Sequence, residues 1–297
     1  MIRIVGALIA LLGAATAQGL DRSVTVGDSR ITVQFAESDF ALGIDEITAW
    51  VGRRAAIVRN YYGRFPVDSA VLRIRATPGG GVHGGREFSA ASPFINIAVG
   101  RNATRAELDD DWVLVHEMIH LAFPEIGDEH AWLAEGLAVY VEGVARTQAG
   151  NETPEELWAG LMNDMPQGEP RAGDEGLDQT HTWGRTYWGG AIFCLQADVL
   201  IRERTANHKG LRDALREVLR LTGGNTEEMS IGRALSIGDA ATGTTVLTEL
   251  YGAHAFTPKP FDLEAIWQKL GIAKRDGHIV FDDNAPLAAV RRAITRS

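Results

Sequence analysis

His116-Glu117-Met118-Ile119-His120 is the stretch of this sequence that predicts both a fold and a chemistry. Residues four positions apart lie on one face of an α-helix, so His116 and His120 can bind a single metal ion. Glu117 lies next to that face and can accept a proton on the open side of the ion. The spacing therefore predicts a catalytic zinc site on a helix.

The residues before this stretch predict the helix itself. Thr104 and Glu107 can form a capping box, and the acids of residues 109–111 suit the first turn of a helix that begins at either place. Apolar residues follow these acids and provide a surface to bury, and Pro124 ends the pattern. We therefore expect a mostly buried helix within residues 104–123.

Two histidines are too few for a catalytic zinc ion, which usually has three protein ligands and a water molecule. A second helix, predicted over residues 131–142, contains Glu135 among apolar neighbours, where a carboxylate normally needs a partner or a metal. Glu135 is therefore assigned as the third ligand. Two alternatives stay open. His130, in the loop before this helix, could bind the metal, and Glu142 lies about 10 Å farther along the helix, where a solvated or outer carboxylate is expected.

The same region resembles a known family. Residues 116–120, followed by Trp132-Leu133-Ala134-Glu135-Gly136-Leu137-Ala138-Val139-Tyr140, are similar to the catalytic segment of the gluzincin metallopeptidases, particularly their aminopeptidase N and glycyl aminopeptidase branches. The resemblance is strong over residues 110–145. It implies an α+β, zincin-like fold, with a small N-terminal sheet over the motif helix and a mostly helical C-terminal lobe. We expect residues 18–297 to form one domain, sheet-rich over about 18–105 and helical over about 106–297.

The sequence departs from that family in two places. Fourteen residues separate His120 from Glu135, fewer than in the aminopeptidase N branch, so the connecting loop must differ. The Gly-x-Met-Glu-Asn motif, which binds the substrate amine in those aminopeptidases, is absent as such. Gly84-Gly85-Arg86-Glu87-Phe88 keeps its glycine and its glutamate. The resemblance thus makes Glu87 a candidate for binding an amino terminus and leaves aminopeptidase and endopeptidase activity both open.

A zinc peptidase also needs a hydrogen-bond donor for the oxyanion that forms when water attacks the carbonyl. Residues 180–190 are rich in aromatic and donor side chains. By resemblance to the gluzincin tyrosine downstream of the third ligand, Tyr187 is the first candidate, with His181 and Arg185 as alternatives. The remaining possibility is that these aromatic side chains only pack between helices.

The N-terminal third of the chain predicts a small sheet. Residues 23–35 alternate in polarity around a turn and predict a hairpin, residues 39–62 predict a helix, and a short strand follows near Val71. The glycine-dense residues 78–88 predict a mobile loop. Residues 94–99 predict a strand whose free edge, beside the metal site, could hold an extended peptide.

The C-terminal part of the chain predicts mostly helices. An apolar helix is expected after the aromatic stretch, and it contains the single cysteine, Cys194, which we expect to be a buried thiol. The further elements predicted from apolar spacing are short helices at 155–162, 210–221, 226–235, 242–251 and 262–270, a strand at 278–281 and a final helix at 285–295.

The first residues have the pattern of an export signal. Arg3, an apolar run over residues 4–15 and small residues before Gln18 are typical of a secretory signal peptide that is cleaved after Ala17. The apolar run is shorter than the roughly 20 residues that span a bilayer. We therefore expect residues 1–17 to be removed and the mature protein to be periplasmic or secreted, without membrane insertion.

Composition narrows the classes of partner. The 297 residues are 45% hydrophobic and 23% charged, which is ordinary for a globular protein with a sizeable core. The formal net charge is −10 and no basic stripe occurs, so neither nucleic acid nor an anionic membrane is an expected partner. The sequence leaves the oligomeric state open.

Together these features predict zinc-dependent hydrolysis of peptide bonds, with one Zn²⁺ per chain and a peptide or protein as substrate. His116, His120 and Glu135 are the expected metal ligands. Glu117 is the expected general base, and the resemblance adds Tyr187 as the oxyanion donor. Two alternatives remain, a catalytically inactive zincin-like binding protein of the envelope and an amidase that acts on a non-protein amide.

Overall fold

The computed structural model describes residues 20–89 and 92–296, so the predicted signal peptide lies outside the described residues. The strands are β1 (Arg22–Val26), β2 (Ser29–Phe35), β3 (Ser69–Thr77), β4 (Val82–Phe88), β5 (Phe94–Gly100), β6 (Ile272–Arg275) and β7 (His278–Phe281). The α-helices are α1 (Gly43–Tyr62), α2 (Arg105–Asp110), α3 (Val113–His120), α4 (Ala131–Gln148), α5 (Pro154–Asp164), α6 (Gly190–Arg204), α7 (Leu211–Thr222), α8 (Ile231–Thr242), α9 (Val246–His254), α10 (Leu263–Leu270) and α11 (Ala288–Ile294). Two 3₁₀ segments, Asp128–His130 and Met165–Gly168, and a π-helical segment, Gly184–Gly189, lie between helices.

The large sheet is mixed and has the strand order β1-β2-β3-β5-β4. β1 and β2 form the predicted antiparallel hairpin, β2, β3 and β5 run parallel to one another, and β4 is antiparallel to β5. Along β2, Ile31, Val33 and Phe35 are buried at alternate positions, as the two-residue period of a strand requires. The mixed α+β class predicted from the sequence is confirmed.

The glycine-dense stretch is only partly the loop that was predicted. Its second half is β4, in which Gly85 lies opposite Ile97 and Glu87 lies opposite Ile95 on β5. Glycine-rich segments have low strand propensity, but main-chain hydrogen bonds to β5 hold this segment extended. Since β5 is paired with β3 on its other side, the free edge predicted for residues 94–99 belongs to β4 instead.

The helix predicted over residues 104–123 is divided into α2 and α3. Thr104 and Glu107 form the expected capping box at the start of α2. Asp111 then interrupts the helix, because its carboxylate accepts hydrogen bonds from the main-chain N–H groups of Val113 and Leu114, at 3.0 and 3.1 Å. These groups would otherwise be unpaired at the start of α3. Asp111 thus fixes the beginning of the helix that contains both histidines.

Other boundaries differ from the predicted ones by a few residues. α1 begins at Gly43 rather than at residue 39. α8 begins at Ile231 rather than at residue 226, because the segment before it is extended and pairs with the loop after α3. In that pairing Glu125 N donates to the Glu227 carbonyl oxygen, at 3.0 Å. β6, which was not predicted, is the hairpin partner of β7. Within residues 20–89 and 92–296, no helix is long and apolar enough to cross a bilayer.

Two glycines set the distance between α4 and α6. A Cβ atom on Gly136 would overlap the main chain of Gly190, and a Cβ atom on Gly190 would overlap the carbonyl oxygen of Trp132. The two helices therefore touch backbone to backbone. Because Glu135 precedes the first glycine and the π-helical segment precedes the second, this contact places that segment beside Glu135.

Gly136→Ala is expected to lower the free energy of unfolding by about 2–3 kcal/mol, because the added methyl group meets main-chain atoms that cannot move aside. Urea denaturation measures this change as a lower midpoint at an unchanged slope. Gly232→Ala in α8 is the matched control, since a Cβ atom there meets nothing within 4 Å. Equal midpoints for the two variants would contradict the close helix contact.

Candidate active site

Three predicted ligand atoms lie together at the junction of α3 and α4. Nε2 of His116 is 3.3 Å from Nε2 of His120 and 3.3 Å from Oε2 of Glu135. Nε2 of His120 is 3.5 Å from the same carboxylate oxygen. Three atoms bound to one tetrahedral zinc ion, each about 2.1 Å from it, lie about 3.4 Å apart. The spacing of this cluster therefore fits a divalent metal ion of that kind.

The helices hold these groups in a largely apolar environment. His116 and Glu117 are buried, and α3 packs against both α1 and α4. Glu135 lies one helical turn into α4, between buried residues such as Leu133 and Leu137. A charged group in such surroundings needs compensation from a partner.

The cluster supplies that compensation internally. Burial opposes ionisation of Glu135, but hydrogen bonds from His116 and His120 outweigh it and lower the pKa of this carboxyl to about 2. Burial also opposes the charge of His120, but the Glu135 carboxylate outweighs it and raises the pKa of that imidazole. Glu135 is thus an anionic ligand that faces two imidazoles.

Glu117 lies under the edge strand rather than among the three ligand atoms. Its Oε2 accepts a hydrogen bond from the main-chain N–H of Glu87 on β4, at 2.7 Å. A Cβ atom on Gly85 would lie 2.6 Å from Cγ of Glu117, so only glycine permits β4 to pass so close. Burial raises the pKa of Glu117, as expected for a general base in an apolar site.

A cleft of about 700 Å³ opens beside this cluster. It is lined by His83 of β4 and, from the helical part of the chain, by His116, Glu117 and Tyr187. The Tyr187 ring lies nearly parallel to the His116 ring, with centroids 6.4 Å apart. Burial and the nearby Glu135 carboxylate raise the pKa of Tyr187, which keeps its hydroxyl protonated as a hydrogen-bond donor. The structure thus brings the predicted oxyanion donor to the metal ligands.

The alternative candidates for the oxyanion donor and for the third metal ligand lie away from this cluster. His181 is exposed in the loop before the π-helical segment, and Arg185 is buried and donates to the Gly168 carbonyl oxygen, at 2.6 Å. His130 is hydrogen-bonded to Asp178 and is not part of the histidine cluster.

Glu142 is the one alternative that does line the cleft. Arg146, one turn farther along α4, donates to its carboxylate at 2.8 Å. Burial still raises the pKa of Glu142 to about 7. It is therefore a paired carboxyl of the cleft wall, outside the cluster of ligand atoms.

Glu87, on β4, lines a small cavity beside His120 rather than the cleft itself, and its surroundings could not be predicted. Asn225 donates to Oε1 of Glu87 at 2.6 Å, whereas the Ser89 hydroxyl donates to the nearby Glu125 carboxylate. Burial raises the pKa of Glu87 to about 7, partly offset by His120. Asn225 is 138 residues away from Glu87, and nothing in the pattern around it marks it as part of a site.

Asp178 is a second residue that the sequence did not indicate. Its buried carboxylate accepts hydrogen bonds from Nδ1 of His130 at 2.9 Å, Nε1 of Trp132 at 2.7 Å and the Tyr251 hydroxyl at 2.6 Å. Trp132 lies one turn before Glu135 on α4. Asp178 therefore joins the first turn of α4 to α9, although it lies between the elements that the sequence predicted.

Comparison with solved structures identifies the fold. An aminopeptidase N family protein from Idiomarina loihiensis matches with a TM-score of 0.63 at 12% identity, over 85% of this chain and 49% of that chain. The M1 zinc metallopeptidase from Deinococcus radiodurans matches with a TM-score of 0.52 at 15% identity, over 81% of this chain and 53% of that one. A mutant of the latter in complex with a Tyr-Ser-Ala substrate matches with a TM-score of 0.53 at 13% identity, over 81% of this chain and 53% of that one.

These matches confirm the gluzincin-like fold that the resemblance implied. The chain spans about half the length of the solved structures. No family model and no curated protein matches the sequence.

Proposed function

We propose that this chain is a zinc-dependent peptidase that cleaves residues from the amino terminus of peptides. The observation that supports this proposal most directly is the convergence of the His116, His120 and Glu135 ligand atoms beside Glu117 and Tyr187, at one side of an open cleft. The fold shared with zinc metallopeptidases agrees with it. The export pattern of residues 1–17 supports action in the periplasm or outside the cell.

The donor set and its spacing fit zinc, with His116, His120 and Glu135 as ligands. A zinc ion held by these residues would supply a Lewis acid for the scissile carbonyl and would make a neighbouring water molecule more acidic. Glu117 accepts a proton from the water whose oxygen adds to the carbonyl carbon, and it delivers that proton to the amine nitrogen as the C–N bond breaks. The Tyr187 hydroxyl donates a hydrogen bond to the oxygen on which negative charge develops.

β4 is the element that would align the substrate. The N–H group of Glu87 points from this strand toward Glu117, so the unpaired edge of β4 faces the site. An extended peptide can add to such an edge through main-chain hydrogen bonds. Its carbonyl then lies beside Glu117, because Gly85 lets β4 pass close to that side chain.

Glu87 is the group proposed to bind the substrate's ammonium group. Its carboxyl is half-buried, is held by Asn225, and lies near His120, which lines the same small cavity. Burial disfavours its charge, and an ammonium ion in contact with it would restore the ionised form. A free amino terminus therefore gains a charge-assisted contact that an acylated terminus cannot make.

Glu117→Gln should reduce kcat by about 10²–10⁴-fold, because it removes the proton acceptor and leaves the ligand atoms in place. Peptide cleavage by the purified protein measures the rate, and elemental analysis should find about one zinc per chain in both proteins. Glu135→Gln, by contrast, is expected to lose zinc. Full activity of Glu117→Gln would refute the mechanism, and a metal-replete wild type that cleaves no peptide would favour an inactive binding protein.

Tyr187→Phe should lower kcat by about 10²–10³-fold with little change in KM, since its hydroxyl acts on charge that is present only in the transition state. Steady-state kinetics on one peptide measure both constants. His181→Ala is the control, because that side chain is exposed and lies outside the cleft lining. A larger loss in His181→Ala than in Tyr187→Phe would reverse the assignment.

Glu87→Gln should reduce the preference for a free amino terminus. The measured quantity is the ratio of kcat/KM for a peptide and for its acetylated form, in which effects on zinc and on Glu117 cancel. We expect the ratio to fall at least about tenfold, as for loss of one charge-assisted contact. Mass spectrometry of a digested peptide library, with and without chelator, supplies the second measurement. Internal cuts by the wild type would exclude Glu87 as the amine-binding group without excluding zinc-dependent hydrolysis.

A further inference from the structure

The metal ligands stand between two cavities of unequal size. His120 lines a small cavity of about 120 Å³, together with Glu87. His116 lines the cleft of about 700 Å³, together with residues 82–85 of β4. A peptide that binds along β4 with its amino terminus at Glu87 therefore extends past the metal ligands into the cleft. This placement rests on the proposed function, and it assigns the cleft to the residues that follow the scissile bond.

Two tryptophans of the cleft are exposed to solvent. Trp112, at the start of α3, is 51% exposed, and Trp183, just before the π-helical segment, is 59% exposed. Each indole lies beside a residue of the site, with centroids 5.7 Å apart for Trp112 and His116 and also for Trp183 and Tyr187. Burying an exposed indole contributes free energy to binding. Two such rings in one cleft form a surface that a substrate side chain can cover.

Glu142 belongs to the same end of the cleft as Trp112. Arg146, one turn beyond Glu142 on α4, donates to the main-chain carbonyl oxygen of Asp110 at 3.1 Å. That oxygen lies two positions before Trp112, so the hydrogen bond holds the beginning of α3 against this part of α4. Glu142 lies about 10 Å along α4 from Glu135. It is therefore too far from the metal ligands for a short substrate side chain and is accessible to a long one.

The charge at this end of the cleft is negative. Arg146 forms ion pairs with three carboxylates. They belong to Glu142, Glu152 and Asp110, at N–O distances of 2.8, 3.7 and 3.9 Å. Asp164 adds a carboxylate to the cleft lining, and none of the described residues in this lining is an arginine or a lysine. Arg86 of β4 lies outside the lining, with its guanidinium group over the Phe88 ring. An excess of negative charge favours a cationic substrate group.

Glu142 has an oxygen that such a group can reach. Its Oε1 accepts the hydrogen bond from Arg146 at 2.8 Å, whereas its Oε2 accepts none from the described residues. The side chain is 12% exposed, and Oε2 does not belong to the enclosed, unpaired polar atoms of the described chain. Oε2 is therefore open to the cleft.

The indole and the carboxylate together favour one class of side chain. An arginine or lysine side chain has an apolar stem that can cover an indole and a charged end that can pair with a carboxylate. A tryptophan ring also attracts a cation through its face. An aliphatic or aromatic side chain would leave the carboxylate unpaired, and an acidic side chain would meet a like charge.

We propose that the cleft selects peptides in which the residue after the scissile bond is arginine or lysine. Its side chain lies across the Trp112 ring and places its charged end at Oε2 of Glu142. Trp183 bounds the cleft beside Tyr187. The substrates of the proposed peptidase are then peptides whose second residue is basic.

Cleavage of five peptides that differ only in their second residue tests this selectivity. That residue is arginine, lysine, leucine, phenylalanine or glutamate, and release of the first residue gives kcat/KM. The faster of the two basic peptides is expected to exceed the leucine and phenylalanine peptides at least about tenfold, and the glutamate peptide is expected to be the slowest. A leucine or phenylalanine peptide that is cleaved as fast would overturn this proposal and leave the proposed function intact.

Two variants locate the selectivity in the cleft. Glu142→Gln and Trp112→Leu should each lower the ratio of kcat/KM for the arginine and leucine peptides at least about fivefold, because only the arginine peptide offers a cation to these groups. Changes in metal content act on both peptides and cancel in the ratio. An unchanged ratio in both variants would refute the assignment. Circular dichroism checks that each variant is folded, and if Glu142→Gln is not, Trp112→Leu decides.

Glu203→Gln is the matched control for Glu142→Gln. It removes the same charge from an exposed position on α6, outside the cleft lining. The ratio should stay within about twofold of the wild type, since an exposed charge at a distance is screened by salt. A fall as large as in Glu142→Gln would assign the preference to the net charge of the protein and refute the cleft site.

Binding to Glu117→Gln separates this proposal from the proposed function. Isothermal titration calorimetry on the zinc-loaded full mature variant measures the Kd of the arginine and leucine peptides without cleavage. The arginine peptide should bind at least about tenfold more tightly. If the wild type cleaves no peptide and this variant still prefers arginine, the proposed function fails and the cleft assignment stands. Equal affinities would overturn the cleft assignment, whatever the wild type cleaves.

Discussion

The structure depends on the partial burial of one carboxylate, Glu135, opposite two imidazoles. A carboxylate among apolar side chains is unfavourable unless charge or hydrogen bonds compensate for it. His116 and His120 provide that compensation, and their positions on consecutive turns of α3 require α4 to approach at one angle and distance. The packing of the two helices and the chemistry of the site are therefore consequences of the same contact.

Glycines provide the close approaches that this arrangement needs. At Gly136 and Gly190 the absence of a side chain lets α4 and α6 touch, which places Tyr187 across from Glu135. At Gly85 it lets the edge strand pass over Glu117. In each case a larger residue would not fit, because its Cβ atom would overlap neighbouring atoms. For this reason glycine, the residue type that predicted a loop, is found inside a strand, inside one helix and at the start of another.

Buried carboxylates hold the surrounding elements in place. Asp111 caps α3, and Asp178 joins the first turn of α4 to α9. Arg185 and Glu169 differ from these groups, because each keeps buried polar atoms without partners among the described residues.

The sequence by itself determined the elements whose evidence is local. The His-Glu-x-x-His spacing, the capping box at Thr104 and the partly buried Glu135 on the next helix follow from the period of an α-helix, which can be read from the sequence. Only the tertiary structure decided the contacts of Glu87 with Asn225, the position of Asp178 and the separation of Arg185 from the cleft. The contacts of Glu87 with Asn225 and of Asp178 with Trp132 join residues 138 and 46 positions apart, and separation along the chain contains no information about distance in space. The main-chain pairing that makes β4 a strand could not be predicted from the sequence for the same reason.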